Sequence, residues 1–369
     1  MTKNLVIVES PAKAKTIGRY LGRDYIVIAS VGHVRDLPGG KLGVDVEHDF
    51  SPQYVVPKEK QPVIREVNEA LKKVSTVFLA TDPDREGEAI AWHIKEAVKV
   101  GDKPVKRVVF HEITERAIKE AFNDPRDIDL DLVNAQQTRR ILDRLVGYKL
   151  SPVLWKKLRG GLSAGRVQSA ALRIVVLRER EIEAFVSQEY WRIIAEVSKQ
   201  GDNGKSKKLA FKATLASIKG VKGKLEVGDD AQAQSIIRDL QPATYTVSKV
   251  TQRETQRKPT APFITSTLQQ EAWRKLRFSA RRTMSIAQQL YEGLAVGAEG
   301  TVGLITYMRT DSPVVSAGAV SEARAYIQKK YGPPYVPASP RRYKARSKGA
   351  QEAHEAVRPT SVGRDPESM

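Results

Sequence analysis

Four short runs rich in β-branched residues, separated by stretches of helical periodicity, leave few folds open to the first 122 residues of this chain. Residues 5–8 (LVIV), 25–30 (YIVIAS), 76–81 (TVFLAT) and 105–110 (VKRVVF) read as buried strands. Residues 13–21, 61–73, 86–98 and 114–122 read as helices between and after them, the first entered through Pro11. Strands alternating with helices at this spacing predict α/β layering with a largely parallel sheet, ending near residue 125. Residues 129–183 carry only helical periodicity, broken at GGLSAG (160–165). From 189 the pattern turns to strands, at 189–197, 209–217 and 244–250, with a polar Gly-containing turn between the first two. That makes 187–260 β-rich. After the punctuation QRKPTAPF (256–263), Ser266 and Gln269 stand at capping-box spacing ahead of Leu268, Ala272 and Leu276, and predict a helix. A helix at about 280–294, a strand at 301–308 (TVGLITYM), a helix at 316–330 and a Pro-rich basic loop at 332–349 follow. The fold class is therefore multidomain, α/β with added helical and β-rich parts. No internal repeat is present.

The chain has 369 residues, enough for two or three domains, and no apolar run long enough to span a membrane. Its N-terminus is too short in apolar residues and too acidic for a signal-peptide core, so a cytoplasmic location is expected. With no cysteine and five histidines, any metal is expected on carboxylate oxygen rather than thiolate. Lys and Arg outnumber Asp and Glu by 62 to 43, a formal charge of +19. Such a surface favours a polyanion, nucleic acid before an anionic membrane, and KKLR (156–159) and RRYKARSK (341–348) concentrate the charge. The chain stops at GRDPESM soon after HEAVRP with no capping element, which reads as a fragment.

The strand at 76–81 runs into T-D-P-D-R-E-G-E, and the strand at 5–8 into V-E-S-P. Alternate residues leaving a strand point to one side, so Asp82 and Asp84 can converge, with Glu86 opening the next helix and Glu9 ending the neighbouring strand. In open α/β sheets ligands collect beyond the carboxyl ends of strands. Clustered carboxylates repel unless a cation compensates, and Mg²⁺ suits an all-oxygen site that must also meet a phosphate. The competing account is that these acids sit at helix N-termini, each stabilising by about 0.3–1 kcal/mol. It serves for Glu86 and Glu88 alone, and less well for the whole D-x-D-x-E run with a separate strand-end Glu. Arg85 and Lys13 are placed to meet phosphate or to neutralise the acids.

Tyr307 lies near the end of the apolar run in G-L-I-T-Y-M-R-T-D-S. A strand tyrosine is ordinarily a packing residue, but a tyrosine can act as a nucleophile where something stabilises charge on the phosphate. Arg309, two residues on, shares its strand face and can take a non-bridging oxygen. His354 stands in H-E-A-V-R-P with Arg358 four residues later, either as a local hydrogen-bonding histidine or as a phosphate contact beside the basic loop.

These blocks together resemble a known family. V-I-V-E-S-P-A-K-A-K-T-I, T-D-P-D-R-E-G-E-A-I-A-W-H, L-D-R-L-V-G-Y, L-S-A-G-R-V-Q-S, P-F-I-T-S-T-L-Q-Q-E-A and I-T-Y-M-R-T-D-S are similar, in order, to those of the type IA DNA topoisomerases of bacteria. The resemblance implies a TOPRIM domain at 1–126, with 36–57 as an insertion touching another domain. It further implies a helical single-strand-binding domain begun at 127–186, the first half of a β-rich arch at 187–264, and a tyrosine-bearing domain at 265–369. The returning arch and the rest of the helical domain lie beyond the end of this chain, so the toroid is incomplete and plasmid relaxation by these residues alone is not expected.

By the same resemblance Tyr307 forms a 5′-phosphotyrosine bond and Arg309 steadies the phosphate. Glu9, Asp82, Asp84 and Glu86 form the Mg²⁺ site, Glu9 also lies beside the leaving 3′-oxygen, and Lys13 contacts the scissile phosphate. His33, Arg139, Arg140, Asp143, Gln168 and His354 bind DNA or select the cleavage site, and Tyr148, Trp155, Ser163 and Arg166 line the single-strand groove. The implied activity is ATP-independent relaxation of negatively supercoiled DNA by a cytoplasmic, nucleoid-associated monomer. The alternatives are a metal-dependent TOPRIM nuclease or primase-like enzyme that uses the acids but not the tyrosine, and a non-catalytic single-strand-binding module.

Overall fold

The computed structural model describes residues 3–198, 210–221, 223, 225–343 and 355–368. The chain divides into two compact units, one formed by residues 1–166 with 259–369 and the other by 167–258.

In the first unit β1 (Lys3–Val8), β2 (Tyr25–Ala29), β5 (Val74–Leu79) and β6 (Val105–Arg107) form a parallel sheet in the order β2-β1-β5-β6. The expected α/β layering is thus present. Helix α1 (Pro11–Leu21) makes the crossover from β1 to β2. The chain then returns over β1 through the small antiparallel pair β3 (Val44–Asp45) and β4 (Ser51–Pro52) and helix α2 (Gln61–Leu71) to β5. The strand order therefore reverses between β1 and β5, and a crevice opens at such a switch point beyond the strand ends. Glu9 and Asp82 leave the two strands that flank it.

Side-chain alternation splits the core in two. Leu5 and Ile7 of β1 with Val77 and Leu79 of β5 pack on one face, against α2 and α3 (Arg85–Ala97). Val6, Val8 and Phe78 pack on the other with Ile17 of α1 and Ile118 of α4 (Glu115–Asn123). That second core also takes in Ala287, Tyr291, Tyr307 and Met308, so the late segment is built onto the early sheet by ordinary apolar burial. Helix α5 (Leu130–Lys157) follows; its Asp129 cap accepts from the N–H groups of Asp131 and Leu132.

The late segment comprises α8 (Thr265–Leu276), α9 (Ala280–Glu292), the β9 (Leu294–Val296) and β10 (Gly300–Val302) hairpin, and α10 (Ala317–Tyr331). Two expectations change here. The 301–308 strand is a strand only to Val302. Beyond it the backbone runs extended without a continuous partner, held by Gly303 N–H to Ile113 O (3.2 Å), Tyr307 N–H to His111 O (2.8 Å) and Thr306 N–H to Arg358 O (2.9 Å). A Cβ on Gly303 would stand 2.8 Å from Tyr291 O and 2.9 Å from Ile113 O, so the segment threads a slot that only glycine fits. The Ser266/Gln269 capping box does not form either. Helix α8 opens two residues earlier, with Ile264 as its cap; the Thr267 hydroxyl accepts from Ile264 N–H (3.0 Å), and the Thr265 hydroxyl donates to Met308 O (2.7 Å), tying the helix start to the tyrosine segment.

The second unit begins inside α6 (Arg166–Glu183), at Val167, and continues to the antiparallel pair β7 (Ile194–Val197) and β8 (Phe211–Thr214), then to α7 (Asp230–Leu240). The strands expected at 189–197 and 209–217 are shorter. The one expected at 244–250 is not a strand; Tyr245, Val247 and Val250 are exposed, with no neighbouring strand to pair with among the described residues. Helix α7 was not foreseen. Its DAQAQSIIRDL has few β-branched residues and an Asp229 cap whose side chain accepts from Gln232 N–H (2.7 Å).

Candidate functional site

At the switch point the first side chain to settle is Lys13. It is wholly buried one turn into α1, where its ammonium pairs with Glu9 and Asp82 and lies 5.0 Å from the Tyr291 ring centre and 5.5 Å from that of Phe110. An unpaired ammonium would not survive there. Burial pushes the Glu9 carboxyl up to about 8, against the pull of Lys13. Burial also works to neutralise Asp82 and Lys13, but their mutual attraction wins, so Asp82 falls below the usual range and Lys13 rises. Of the two acids on Lys13, Glu9 is the one that holds its proton more tightly.

Tyr307 enters from the late segment. Its hydroxyl donates to Asp84 Oδ2 at 2.7 Å, while Asp84 Oδ1 caps α3 by accepting from Gly87 N–H at 2.9 Å. Arg309 Nη1 stands 3.7 Å from the same Oδ2, with over half of its side chain exposed. Burial, then the charges of Asp82 and Asp84, raise the phenol well above its ordinary value, so the resting group is neutral. Tyr291 packs edge-on against Tyr307, ring centres 5.1 Å apart. Glu9, Asp82, Asp84, Glu86 and Arg309 line one cavity of about 510 Å³, with Met284 and Gln288 of α9 on its far wall.

Glu86 faces α5. It accepts from Arg139 Nη1 and Gln136 Nε2, both at 3.1 Å, and lies 3.6 Å from His33 Nε2; these contacts, that of His33 foremost, hold its carboxyl down at about 2. Arg139 reaches on to Asp143 (4.0 Å), which pairs with Arg166 (2.9 Å). Arg140 forms a two-pronged pair with Asp36 at the start of the 36–57 segment. A second cavity of about 660 Å³ is lined by Arg140, Asp143, Tyr148, Trp155 and Ser163. The structure thus brings together Glu9, Lys13, Asp82, Asp84, Tyr307 and Arg309, links them through Glu86 to His33 and Arg139, and gathers the groove residues further along α5. Gln168 belongs to the second unit, and His354 lies outside the described residues.

Three residues hold the acid loop in roles the sequence does not announce; for Glu88 it offers only a place at a helix N-terminus. Arg107, fully buried, donates to the carbonyls of Thr81 (2.9 Å) and Asp82 (2.6 Å) and to the Glu88 carboxylate (3.0 Å). Glu88, also fully buried, accepts in addition from Arg126 (2.8 Å) and from Asp129 N–H (2.7 Å), the cap of α5. A Cβ on Gly87 would lie 2.1 Å from Asp82 O. The signal was an arginine amid the apolar residues of VKRVVF. Arg107→Leu is expected to destabilise the protein by about 3–5 kcal/mol by leaving Glu88 buried and underpaired; denaturant unfolding with a loss below about 1 kcal/mol would refute this network.

Behind His33 lies a packed ring cluster. His93 is buried, its Nδ1 is 3.2 Å from Arg35 Nε, and Tyr54 and Trp92 sit 4.6 and 4.8 Å from its ring. Burial, Arg35 and His33 lower the imidazole from 6.5 to about 3. The unfolded chain therefore binds this proton below pH 6.5 while the folded one does not until about 3. The stability His93 contributes is complete above the first value and is lost as pH falls across that window. Thermal unfolding of His93→Gln is expected to decline less than the parent's from pH 7 to pH 4; parallel declines would contradict it.

The acids suit a hard divalent cation in donor chemistry. They are all oxygen, share one cavity, and include the buried Glu9 Oε2, which receives no N–H or O–H among the described residues. Among those residues no three acids or imidazoles stand close enough to enclose an ion, because Lys13 already engages Glu9 and Asp82 and Arg139 engages Glu86.

Comparison with known proteins accords with this geometry. Residues 4–113 match the Toprim domain, a metal-binding domain typically of Mg²⁺, and residues 127–368 match the family described as DNA topoisomerase. Among solved structures, full-length topoisomerase I from Thermotoga maritima is 43% identical with a TM-score of 0.78. The match covers 99% of this chain and 56% of that one, so the chain spans little more than half the length of this relative. The chain belongs to the type IA DNA topoisomerase family of bacteria.

Proposed function

We propose that this chain carries the strand-cleaving centre of a type IA topoisomerase and acts on single-stranded segments of negatively supercoiled DNA. The observation that supports it most is the buried hydrogen bond from the Tyr307 hydroxyl to Asp84, an acid of the cavity that Arg309 also lines. The Tyr307 oxygen attacks a backbone phosphorus and its proton passes to Asp84, the acceptor already 2.7 Å away. Arg309 takes a non-bridging oxygen of that phosphate. The P–O3′ bond breaks and the leaving oxygen receives the proton of Glu9, whose value near 8 suits an acid that must be recharged at neutral pH. Lys13 keeps Glu9 and Asp82 in register. Resealing is the reverse, and the bond energy stays in the phosphotyrosine, so no ATP enters.

Asp82, Asp84 and Glu86, with Glu9 nearby, would hold Mg²⁺, which when bound supplies positive charge for phosphate oxygens. His33, Arg139, Arg140, Asp143, Tyr148, Trp155, Ser163, Arg166, Gln168 and His354 take the DNA strand, aromatic rings stacking on bases with little regard to sequence. On this reading residues 1–126 are the TOPRIM domain, 127–186 part of the helical domain, 187–264 half of the arch and 265–369 the tyrosine-bearing domain.

End-labelling tests the reading. An oligonucleotide labelled at its 3′ end is expected to leave its label on the denatured protein, and one labelled at its 5′ end is not. Free product from both, with no label on the protein, would favour a metal-dependent nuclease, and the opposite polarity would mean a 3′-phosphotyrosine and overturn the assigned direction of cleavage.

A further inference from the structure

Helix α9 runs from the acid cavity to a basic corner that the proposed chemistry does not use. Met284, Ser285, Gln288 and Gln289 line the cavity. Helical spacing puts Arg281 on their face, at i−4 from Ser285 and i−7 from Gln288, about 6 Å further along the axis than Ser285. Arg282 lies 4.0 Å over the Phe278 ring, and Arg277 lies 5.7 Å over that of Trp273. Trp273 and Leu276 are more than half exposed, and Arg277, Arg281 and Arg282 are exposed and make no ion pair among the described residues. The one neighbouring acid on α8, Glu271, is taken by Arg274 (2.8 Å) and Lys275 (3.9 Å).

Arg277 adds a separate sign. It ends α8 with φ at 56°, the left-handed region where glycine or asparagine is the usual occupant. A long cation held in that conformation, next to an exposed indole, is poorly explained by helix termination alone. An exposed indole and a half-buried phenyl ring, interleaved with guanidinium groups that make no ion pair among the described residues, match a single-stranded nucleic acid, whose bases stack while its phosphates meet the cations.

We infer that the α8–α9 corner of Trp273, Arg277, Phe278, Arg281 and Arg282 is a second DNA contact, for the strand on the 3′ side of the scissile phosphate. This rests on the proposed cleavage chemistry, in which that strand is the part left on Tyr307. Tyr307 and the corner belong to the same late segment, tied through Thr265 to Met308, whereas the strand ending in the 3′-hydroxyl lies toward Glu9 and the Arg139 side. The corner holds the attached strand by its backbone while the two ends are apart.

The test uses the 369-residue chain with Tyr307→Phe to prevent cleavage, and fluorescent oligo(dT) probes of about 8 and about 24 nucleotides, short and long against the span of one groove. R277Q/R281Q/R282Q is compared with its parent and with K73Q/K99Q/K106Q, which removes equal charge from exposed lysines elsewhere. The expected result is a tenfold or greater loss of affinity for the long probe and a salt slope shallower by about 2, with the short probe unchanged. Quenching of tryptophan fluorescence by the long probe is expected to fall in W273F. Equal binding of the long probe by triple variant and parent overturns the inference and leaves the cleavage reading standing. So does equal loss on both probes, or a matching loss in the lysine control. A parent that binds neither probe overturns both.

Discussion

Tyr307→Phe is expected to remove every denaturant-stable DNA adduct while leaving binding of a single-stranded oligonucleotide within about twofold, because the change removes a neutral hydroxyl and no charge. The ring stays packed against Tyr291 while the bond to Asp84 is lost, so unfolding should shift by about 1–2 kcal/mol. An adduct that persists in a well-folded Phe variant would move the nucleophile elsewhere. The Asp84 bond adds a finer expectation. Asp84→Asn should slow cleavage by about 10²–10⁴, the usual worth of a positioned acid or base, with the tyrosine still in place.

Lys13→Met is expected to have the second large effect, on stability and reactivity together. It leaves the Asp82 carboxylate buried without its cation, a loss of about 3–5 kcal/mol by analogy with other broken buried pairs. Adding Asp82→Asn should restore much of that stability, since both buried charges are then gone. Cleavage should stay lost in the double variant, because Glu9 no longer has a charged neighbour to orient it. Denaturant unfolding and single-turnover cleavage, measured on the same three proteins, separate the two effects. Recovery of cleavage with stability would reduce Lys13 to a structural role.

Much of this arrangement was legible in the sequence, for identifiable reasons. The β1, α1, β2, β5 and α3 pattern announced itself because strands buried on both faces are almost continuously apolar. Their acidic ends stood out against that background. That the crevice lies between β1 and β5 depends on strand order, which hydrophobic patterning does not encode. The pairing of Arg107 with Glu88 was not legible, because the two lie 19 residues apart; alone, Glu88 reads as a helix N-terminal acid and Arg107 as a charge at a strand end. Tyr291 looked like a core residue, and it is one; only the fold puts its ring against both Tyr307 and Lys13. The 244–250 strand failed because period-2 patterning describes a chain able to pair, and TYTVSKV finds no partner strand among the described residues. Within TVGLITYM the same patterning marked extended backbone correctly, but that backbone is held by His111, Ile113 and Arg358 rather than by a sheet.

One phenol, brought from the late segment to the acid cavity of the early one, is expected to take the broken DNA end. Mass spectrometry of the trypsin-digested adduct tests it directly. After nuclease trimming, the peptide covering residues 283–309 should carry the added mass of a nucleotide phosphate, with fragmentation placing it on Tyr307. The same mass on Tyr291, on a serine or on any other peptide, or no covalent mass at all with the DNA cut, would contradict the account.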